Sequence, residues 1–195
     1  LPHWSGPAFI PLMILAGIYI DQQKVSWPIY LLRTSLGFVF TILLALVIIV
    51  QKYPGNFGSQ QHNNLGEYCP TLDLSGWKEF STAFKTIVAQ DQSSNRMGKS
   101  PSIFVGKWFP AGHLEFYTAR TTGLPLFGVG PLQDIHKFAW LNKQRPALTI
   151  GADAYCIVPS NVPFDVANAY GSYFKTIDAP QIINQVRGSV VVRYF

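Results

Sequence analysis

The sequence has little charge for its size, and the shortage is concentrated in its first fifty residues. Charged residues make up 13% of the 195 residues, whereas about 25% is usual for a soluble domain. Between positions 4 and 50 only Asp21, Lys24 and Arg33 are charged. A helix at the surface of a soluble protein keeps one polar face. The uniformly apolar stretches therefore favour membrane helices over a helical hairpin buried in a soluble protein.

The chain also lacks a clustered basic region. Its formal net charge is +5, and the thirteen basic and nine acidic residues after position 50 are spread along the sequence. Nucleic-acid-binding domains concentrate Lys and Arg on one face or along one helix. The even distribution of Lys and Arg along the sequence therefore excludes a nucleic-acid partner. It is typical of ordinary surface charge, and it is also compatible with work near anionic lipid head groups.

No recognisable catalytic or metal-binding motif is present in the sequence. None of the four histidines has metal-ligand spacing to a second His or Cys. The stretch SSNRMGKS lacks the first glycine of a phosphate-binding loop, and GVGPLQ lacks the third glycine of a dinucleotide fingerprint. From the residues alone we expect no catalytic residue, no metal ligand and no cofactor.

Only two cysteines occur, Cys69 and Cys156. A location outside the cytoplasm would permit a disulfide bond between them. Cys156 lies in a predicted buried strand, however, where a free thiol packs well as a small hydrophobic side chain. The sequence leaves both the bonded and the free state open.

Two long apolar segments lie near the amino end. The first covers residues 4–20 and the second residues 29–50, and a bilayer core requires about 17–25 helical residues. Trp4 and Trp27 flank the two segments, where aromatic side chains sit at a membrane surface. We therefore expect two transmembrane helices within residues 1–50.

The short connection between these segments indicates their orientation. It carries Lys24 and Arg33, whereas residues 1–5 carry no Lys or Arg. Cytoplasmic loops of membrane proteins are enriched in these two residue types. We expect a cytoplasmic connection and an extracytoplasmic carboxyl-terminal region, although Lys52 opposes this orientation.

The rest of the chain predicts a linker and one soluble domain. Residues 51–71 are rich in Gly, Asn, Gln and Pro, which is typical of an irregular linker. In residues 72–195 predicted strands alternate with predicted helices, as in an open α/β sheet. Because the sequence ends inside an apparent strand, we expect this domain to be truncated at its end. The predicted helices are 73–90, 112–120 and 132–144, and the predicted strands are 101–106, 125–130, 153–159, 172–177 and 188–195.

The first predicted helix of this domain, residues 73–90, has a clear apolar period. Asp73 or Ser75 is available to cap its amino end. Aromatic residues on this and the later helices are expected to belong to the core rather than to a ligand-binding surface. These residues are Trp77, Phe80, Tyr117 and Trp140.

Several stretches of the sequence together resemble one protein family. They are LPHWSGPAFIPLMILAG, DLSGWKEF, HLEFYTAR and DIHKFAWLNKQRP followed by GADAYCIVP. In this order they resemble the turn that enters a late transmembrane helix, the Asp-x-x-Gly-Trp opening of a soluble region, and two later segments of that region. The chain thus resembles bacterial integral-membrane glycosyltransferases of the ArnT-like, protein-mannosyltransferase-like GT-C superfamily, over most of its length.

The resemblance implies an enzyme of the bacterial inner or plasma membrane. Such enzymes move a sugar from a polyprenyl-phosphate carrier to a lipid or protein acceptor at the outer face. Their catalytic carboxylate lies in the first extracytoplasmic loop, upstream of the part that this chain resembles. We therefore expect a carboxyl-terminal fragment that is inactive alone and in which no residue inherits a catalytic role.

The opening turn holds the only candidates for contact with the donor. His3 is a candidate to donate a hydrogen bond to the carrier phosphate, and Trp4 is a candidate to stack on the prenyl chain or the sugar. The alternative is that His3 caps the helix and Trp4 anchors it at the membrane surface.

Two further functions stay open on the sequence. One is a non-catalytic two-span membrane protein with an extracytoplasmic binding domain, and the other is an accessory subunit of a cell-envelope complex. A start codon directly upstream of Leu1 would favour these functions, and a long upstream reading frame would favour the enzyme.

Overall fold

The computed structural model describes residues 9–23, 26–98 and 100–195. The chain divides into two compact units, Leu1–Ile48 and Ile49–Phe195. In the described part of the first unit there are two apolar helices, the second of which continues into the second unit, and the second unit contains all of the strands that the structure describes.

Among the described residues, one helix is long enough to cross a bilayer. Helix α2 (Trp27–Lys52) has 26 residues, and its length and apolar composition suit a membrane span. Helix α1 (Phe9–Asp21) is apolar but has 13 residues, fewer than the roughly 17 that a crossing requires. Residues 4–8 of the predicted first span, and Lys24 of the predicted cytoplasmic connection, lie outside the described residues. The structure thus supports one candidate span, and the two-span hairpin stays a prediction.

Hydroxyl groups within α2 bond to their own helix. The Thr34 hydroxyl donates to the Tyr30 carbonyl at 2.9 Å, and the Thr41 hydroxyl donates to the Gly37 carbonyl at 2.9 Å. Such bonds satisfy a polar side chain where no water is at hand. These threonines are therefore compatible with an apolar surrounding.

A three-stranded parallel sheet forms the centre of the second unit. Strand β1 (Ser102–Val105) lies between β2 (Leu126–Gly128) and β3 (Ala154–Cys156). All four residues of β1 are buried, as is usual for a parallel strand that is covered on both faces. The predicted α/β region is confirmed, and the pairing of β1 with both neighbours is parallel.

Helices connect the strands in the order that the alternating pattern predicts. A continuous helical stretch links β1 to β2, and two short helices precede β3. The helices of this unit are α3 (Trp77–Ser93), α4 (Trp108–Leu114), a π-helical turn (Glu115–Ala119), α5 (Arg120–Thr122), α6 (Leu132–Ile135), α7 (Phe138–Leu141) and α8 (Val166–Tyr170), with short 3₁₀ turns at His62–Asn64 and Asn142–Gln144.

The π-helical turn is stabilised by hydroxyl groups. An inserted residue in such a turn disturbs the regular ladder of backbone hydrogen bonds. The Tyr117 carbonyl accepts from the Ser81 hydroxyl at 2.6 Å and from the Thr121 hydroxyl at 2.9 Å. Ser81 belongs to α3, so these bonds also fix the turn against that helix.

The main apolar core lies between α3 and the sheet. Trp77, Phe80 and Phe84 point into it from α3, and Ile103 of β1 is completely buried. Burial of each such side chain contributes about 1.5–3 kcal/mol. The core prediction holds for Trp77 and Phe80, and Tyr117 packs against the same cluster while partly exposed.

The same prediction is wrong for Trp140, which is 60% exposed. The predicted helix 132–144 is interrupted at His136, which has φ 46°. A residue with positive φ ends the regular helical period. Side chains after the break therefore do not continue the face that the sequence pattern assigns to them.

The amino end of α3 also differs from the prediction. Gly76, with φ 83°, occupies the N-cap position without a side-chain cap, so neither Asp73 nor Ser75 caps the helix. Glycine adopts this conformation without a steric penalty. The Gln185 side chain occupies the space that a Cβ at Gly76 would need.

The carboxyl end of the chain forms a hairpin rather than two strands of the main sheet. Strands β4 (Asn184–Arg187) and β5 (Val190–Tyr194) pair antiparallel as a separate sheet. The predicted strand 188–195 thus corresponds to β5, whereas β4 was not predicted. The predicted strand 172–177 is wrong, because this segment begins in the turn after α8, where the Tyr173 N–H donates to the Tyr170 carbonyl at 2.9 Å.

Residues 51–71 contain little regular structure but pack onto this hairpin. The Asn56 amide donates to the Val192 carbonyl at 3.3 Å. Cys69 forms a small buried cluster with Leu72 and Val192. The segment predicted as a linker therefore packs as part of the second unit.

Candidate binding cleft

The order of the parallel strands marks a place where a cleft is expected. The chain passes from β1 to β2 on one side and then crosses to β3 on the other side. In open α/β sheets, a crevice forms beyond the carboxyl ends of the strands at such a reversal. Here it lies where the segments that follow β1 and β3 meet.

The space directly at the strand ends is almost filled. It measures about 10 Å³, and the Phe164 ring occupies the position that a Cβ at Gly106 would need. A larger cleft of about 390 Å³ opens beside it, and Val162 borders both spaces. The larger cleft is lined by Tyr68, Cys69, Pro70, Asp73, Phe109, Asn161 and Val162.

Two buried arginines lie behind this cleft, and we call them and their partners the arginine centre. Arg193 is 0% exposed and Arg187 is 6% exposed. No carboxylate in the described part of the chain forms a salt bridge with either one. Buried charges are costly unless they are paired or hydrogen-bonded, so the surrounding acceptors decide whether this arrangement is stable.

Arg193 is held by acceptors from three separate parts of the chain. Its Nε–H donates to the Gln185 amide oxygen at 2.9 Å, and its two terminal nitrogens donate to the Asn161 amide oxygen at 3.2 Å and the Ser75 carbonyl at 2.7 Å. Burial lowers the pKa of Arg193, and the nearby charge of Asp73 opposes this shift. A guanidinium nevertheless stays protonated at neutral pH.

Arg187 is held in a similar way. It donates to the Thr71 hydroxyl at 2.8 Å and to the Thr71 carbonyl at 2.9 Å. It also donates to the Ser75 hydroxyl. Both arginines therefore join the terminal hairpin to the segment that precedes α3.

Aromatic rings cover the Arg193 guanidinium. Its central carbon lies 4.5 Å from the Trp77 ring centre and 4.3 Å from the Phe195 ring centre. Such contacts favour a desolvated cation. The His113 ring stacks on Trp77 at 4.6 Å, with an interplanar angle of 2°. Burial, and then the charge of Arg193, lower the pKa of His113, so the imidazole is neutral at neutral pH.

A chain of hydrogen bonds leads from the arginine centre into the cleft. Arg193 holds the amide oxygen of Asn161, so the amide nitrogen of Asn161 is directed away from it and donates to Asp73 Oδ1 at 3.2 Å. Asp73 is partly exposed. Burial raises its pKa, although Arg193 and Asn161 oppose the shift. Arg193 thereby orients Asn161, and Asn161 in turn bonds to Asp73, which lines the cleft beside it.

Cys69 is the one thiol among the residues that line the cleft. Its sulfur accepts from the Phe57 N–H at 3.3 Å and lies 3.2 Å from the Thr71 hydroxyl. Burial alone would raise the pKa of this thiol, but hydrogen bonds from Thr71, Phe57 and Leu72 lower it below the ordinary value. Only 2% of Cys69 is exposed, which indicates a structural role in the small cluster with Val192.

The two cysteines are not bonded to each other. Cys156 lies in β3 beside the aromatic cluster of Phe104, Phe127 and Tyr170. Burial raises its pKa to about 12. Of the two states that the sequence leaves open, the structure has the free thiols.

The donor-binding candidates from the sequence, His3 and Trp4, lie outside the described residues, so the structure places neither of them. The cleft consists of other residues. Sequence patterns did not indicate Tyr68, Asn161 or Arg193, although an arginine inside the apolar run VVVRYF is a signal of a buried cation.

The cleft has the composition of a binding site. It combines aromatic and aliphatic walls with one carboxylate and one amide, and few well-placed polar groups on an apolar lining are typical of ligand sites. Among the described residues, no group of three His, Cys, Asp or Glu side chains is arranged to hold a metal ion. The cleft can therefore bind and orient a ligand through hydrogen bonds and ring contacts.

Comparison of the chain with protein-family models, with curated proteins and with solved structures finds no match.

Proposed function

We propose that this chain is the carboxyl-terminal part of a membrane glycosyltransferase that takes sugar from a polyprenyl-phosphate carrier. In this proposal α2 holds the second unit beside the membrane, outside the cytoplasm, and the second unit binds the lipid or protein acceptor. The catalytic carboxylate belongs to the upstream part of the protein.

The observation that carries the proposal is the meeting of two family-like stretches at one place. Asp73 and Trp77 come from DLSGWKEF, and His113 comes from HLEFYTAR. Trp77 and His113 stack at 4.6 Å next to Arg193, and Asp73 lines the cleft. Residues that carry a resemblance but are distant in sequence are expected to converge where a protein binds its ligand.

Helix α2 supports the membrane part of the proposal. It has 26 residues, and it ends two residues before Pro54, close to the start of the second unit. A helix of this length spans about 39 Å at 1.5 Å per residue, which exceeds a hydrocarbon core of about 30 Å. The second unit would then be tethered at the bilayer surface, where a lipid-linked sugar is available.

The glycosyl-transfer activity of the protein encoded by the complete reading frame tests this proposal. Membranes that contain the protein are incubated with a radiolabelled polyprenyl-phosphate sugar, and labelled lipid and protein are separated and counted. We expect label in one of the two fractions. Absence of label, together with a start codon just upstream of Leu1, would reject the enzyme.

The candidate roles of His3 and Trp4 require their own variants. Replacement of both residues by Ala in the complete protein should reduce donor affinity and turnover if they contact the carrier. Unchanged donor affinity and turnover would leave His3 as a helix cap and Trp4 as a surface anchor.

A membrane-anchored binding module without chemistry is the second candidate function. The completeness of the cleft within one unit favours it, because every lining residue lies between Tyr68 and Val162. A module of this kind would bind its ligand without any upstream catalytic domain. Ligand binding by the chain, with no glycosyl transfer by the complete reading frame, distinguishes it from the enzyme.

A further inference from the structure

Tyr68 at the edge of the cleft has an unusual conformation. Its φ is 64°, and 89% of the residue is exposed. Non-glycine residues rarely adopt left-handed backbone conformations, and bulky ones that do so often lie at functional sites. The conformation presents an almost fully exposed phenol ring beside the cleft, where it is available to a ligand.

The polar groups of the cleft have unused hydrogen-bonding capacity. Asp73 Oδ1 accepts from Asn161, and within the described residues no donor reaches Asp73 Oδ2. The Asn161 amide nitrogen carries two N–H groups, of which one is used for Asp73. Within the described residues, an unused acceptor on the partly exposed Asp73 and an unused donor on Asn161, which is 7% exposed, therefore lie side by side.

These features match a hydroxylated ring. Neighbouring hydroxyls of a sugar both donate and accept hydrogen bonds, so one hydroxyl can donate to Asp73 while the next accepts from Asn161. The C–H face of a sugar ring packs on an aromatic ring through weak C–H contacts. Tyr68 and Phe109 supply such rings in the lining of the cleft, and its volume of about 390 Å³ lies in the range of small-molecule sites.

An anionic ligand fits this cleft less well. The three guanidinium nitrogens of Arg193 already donate to Gln185, Asn161 and Ser75, and Arg193 is 0% exposed. The charged group that does line the cleft is the carboxylate of Asp73, which repels anions.

We infer that the cleft binds a saccharide, with Tyr68 as the stacking surface and Asp73 and Asn161 as the hydrogen-bonding pair. Arg193 is a positioning residue that orients Asn161. The inference rests on the proposed function in one respect, because it concerns the acceptor of the proposed glycosyltransferase. It deepens that function by identifying the acceptor as a molecule that carries a sugar.

Saturation-transfer NMR on the full chain in lipid nanodiscs tests the inference. The probes are methyl α-mannopyranoside, methyl β-glucopyranoside and methyl β-galactopyranoside, each at millimolar concentration. We expect transfer to the ring C–H protons of at least one glycoside. Tyr68→Ala and Asp73→Asn should each weaken the binding about tenfold or more, as expected for loss of a ring contact or of a charged hydrogen bond.

Matched control variants carry the same changes away from the cleft. Tyr173 is 78% exposed and does not line the cleft, so Tyr173→Ala should bind normally. Asp178→Asn is the matched control for Asp73→Asn, because Asp178 pairs with Arg96 and does not line the cleft. Because Asp73→Asn also alters the surroundings of Arg193, Tyr68→Ala is the decisive variant, and an unchanged near-ultraviolet circular dichroism spectrum shows that it is folded.

Several results would overturn the inference. These are absence of transfer to all three glycosides, equal binding by wild type and Tyr68→Ala, or displacement of the bound glycoside by inorganic phosphate. If the glycosides bind but the protein encoded by the complete reading frame transfers no sugar, the proposed enzyme function is rejected and the saccharide site is supported. If the protein transfers sugar but the glycosides do not bind, only the saccharide site is rejected.

Discussion

The apolar core around β1 and the arginine centre behind the cleft are both buried, but they are stabilised in different ways. The core consists of side chains such as Ile103 and Phe138, which are 0% and 1% exposed and depend on close packing. The arginine centre contains Arg193 and Arg187, which depend on directed hydrogen bonds. Packing tolerates a change of shape that keeps the volume, whereas a buried polar group that loses its partner is strongly destabilising. The two regions should therefore respond differently to conservative substitutions.

Truncation in the apolar core should have the largest effect. Phe138→Ala should lower the free energy of unfolding by about 3–5 kcal/mol, because it removes buried area and leaves a cavity. Urea unfolding of the full chain in detergent, followed by near-ultraviolet circular dichroism, measures the change. Phe138→Leu keeps most of the volume and should cost less than half as much. Equal losses for both variants would show that packing volume does not control this region.

Substitution of Arg193 should have the next largest effect. Arg193→Ala leaves the acceptors on Gln185, Asn161 and Ser75 without a donor, and we expect a loss of about 3 kcal/mol. The distinguishing variant is Arg193→Lys, which keeps the charge but cannot reproduce the planar set of donors, so most of the loss should remain.

Arg120→Lys is the control for this substitution. Arg120 is exposed and lies over the Phe116 ring at 4.9 Å, so the change should cost less than about 1 kcal/mol. Stability of Arg193→Lys close to that of the wild type would show that charge, rather than donor geometry, maintains the arginine centre.

A smaller effect is expected at the edge of the parallel sheet. The Asn142 amide donates to the Gly128 carbonyl at 2.7 Å and accepts from the Gly128 N–H at 3.2 Å, so it replaces a neighbouring strand. Asn142→Ala should cost about 1–2 kcal/mol. Asn142→Asp keeps the acceptor and loses the donor, and it should also lower hydrogen-exchange protection at β2. Unchanged protection in both variants would contradict this role.

The smallest effect is the pH dependence that His113 introduces. Its pKa is lowered in the folded state, so the unfolded chain takes up a proton first as the pH falls. Stability should be complete above the unfolded value of about 6.5 and should decrease as the pH falls below it. His113→Phe keeps a ring against Trp77 and should remove this part of the slope in urea titrations at several pH values. A slope that persists in the variant would assign it to other groups.

Sequence patterns predicted the parts of the fold that depend on neighbouring residues. The apolar period from Trp77 to Phe84 predicted α3, and short apolar runs between turn residues predicted the three parallel strands. The same reasoning failed at Trp140, because the positive φ of His136 changes the direction of the chain within a pattern that looks continuous.

The cleft was beyond prediction because its residues are distant in sequence. Asn161 and Asp73 are 88 positions apart, and Arg193 and Ser75 are 118 positions apart. Side-chain pairs of this kind leave no local period, so only the backbone path brings them within hydrogen-bonding distance. The carboxyl edge of the sheet could have been suspected from the order of the strands, but that order is itself a tertiary property.

The sequence by itself determined the long apolar helix α2, helix α3 and the alternation of helices and strands, because unbroken apolar runs and hydrophobic periods are properties of neighbouring residues. Tertiary structure alone decided that the terminal hairpin buries Arg187 and Arg193 against the segment before α3, that Arg193 orients Asn161 towards Asp73, and that Tyr68 remains exposed beside the cleft. A buried charge is stable only where acceptors from several segments surround it, and that condition is met only once the chain has folded.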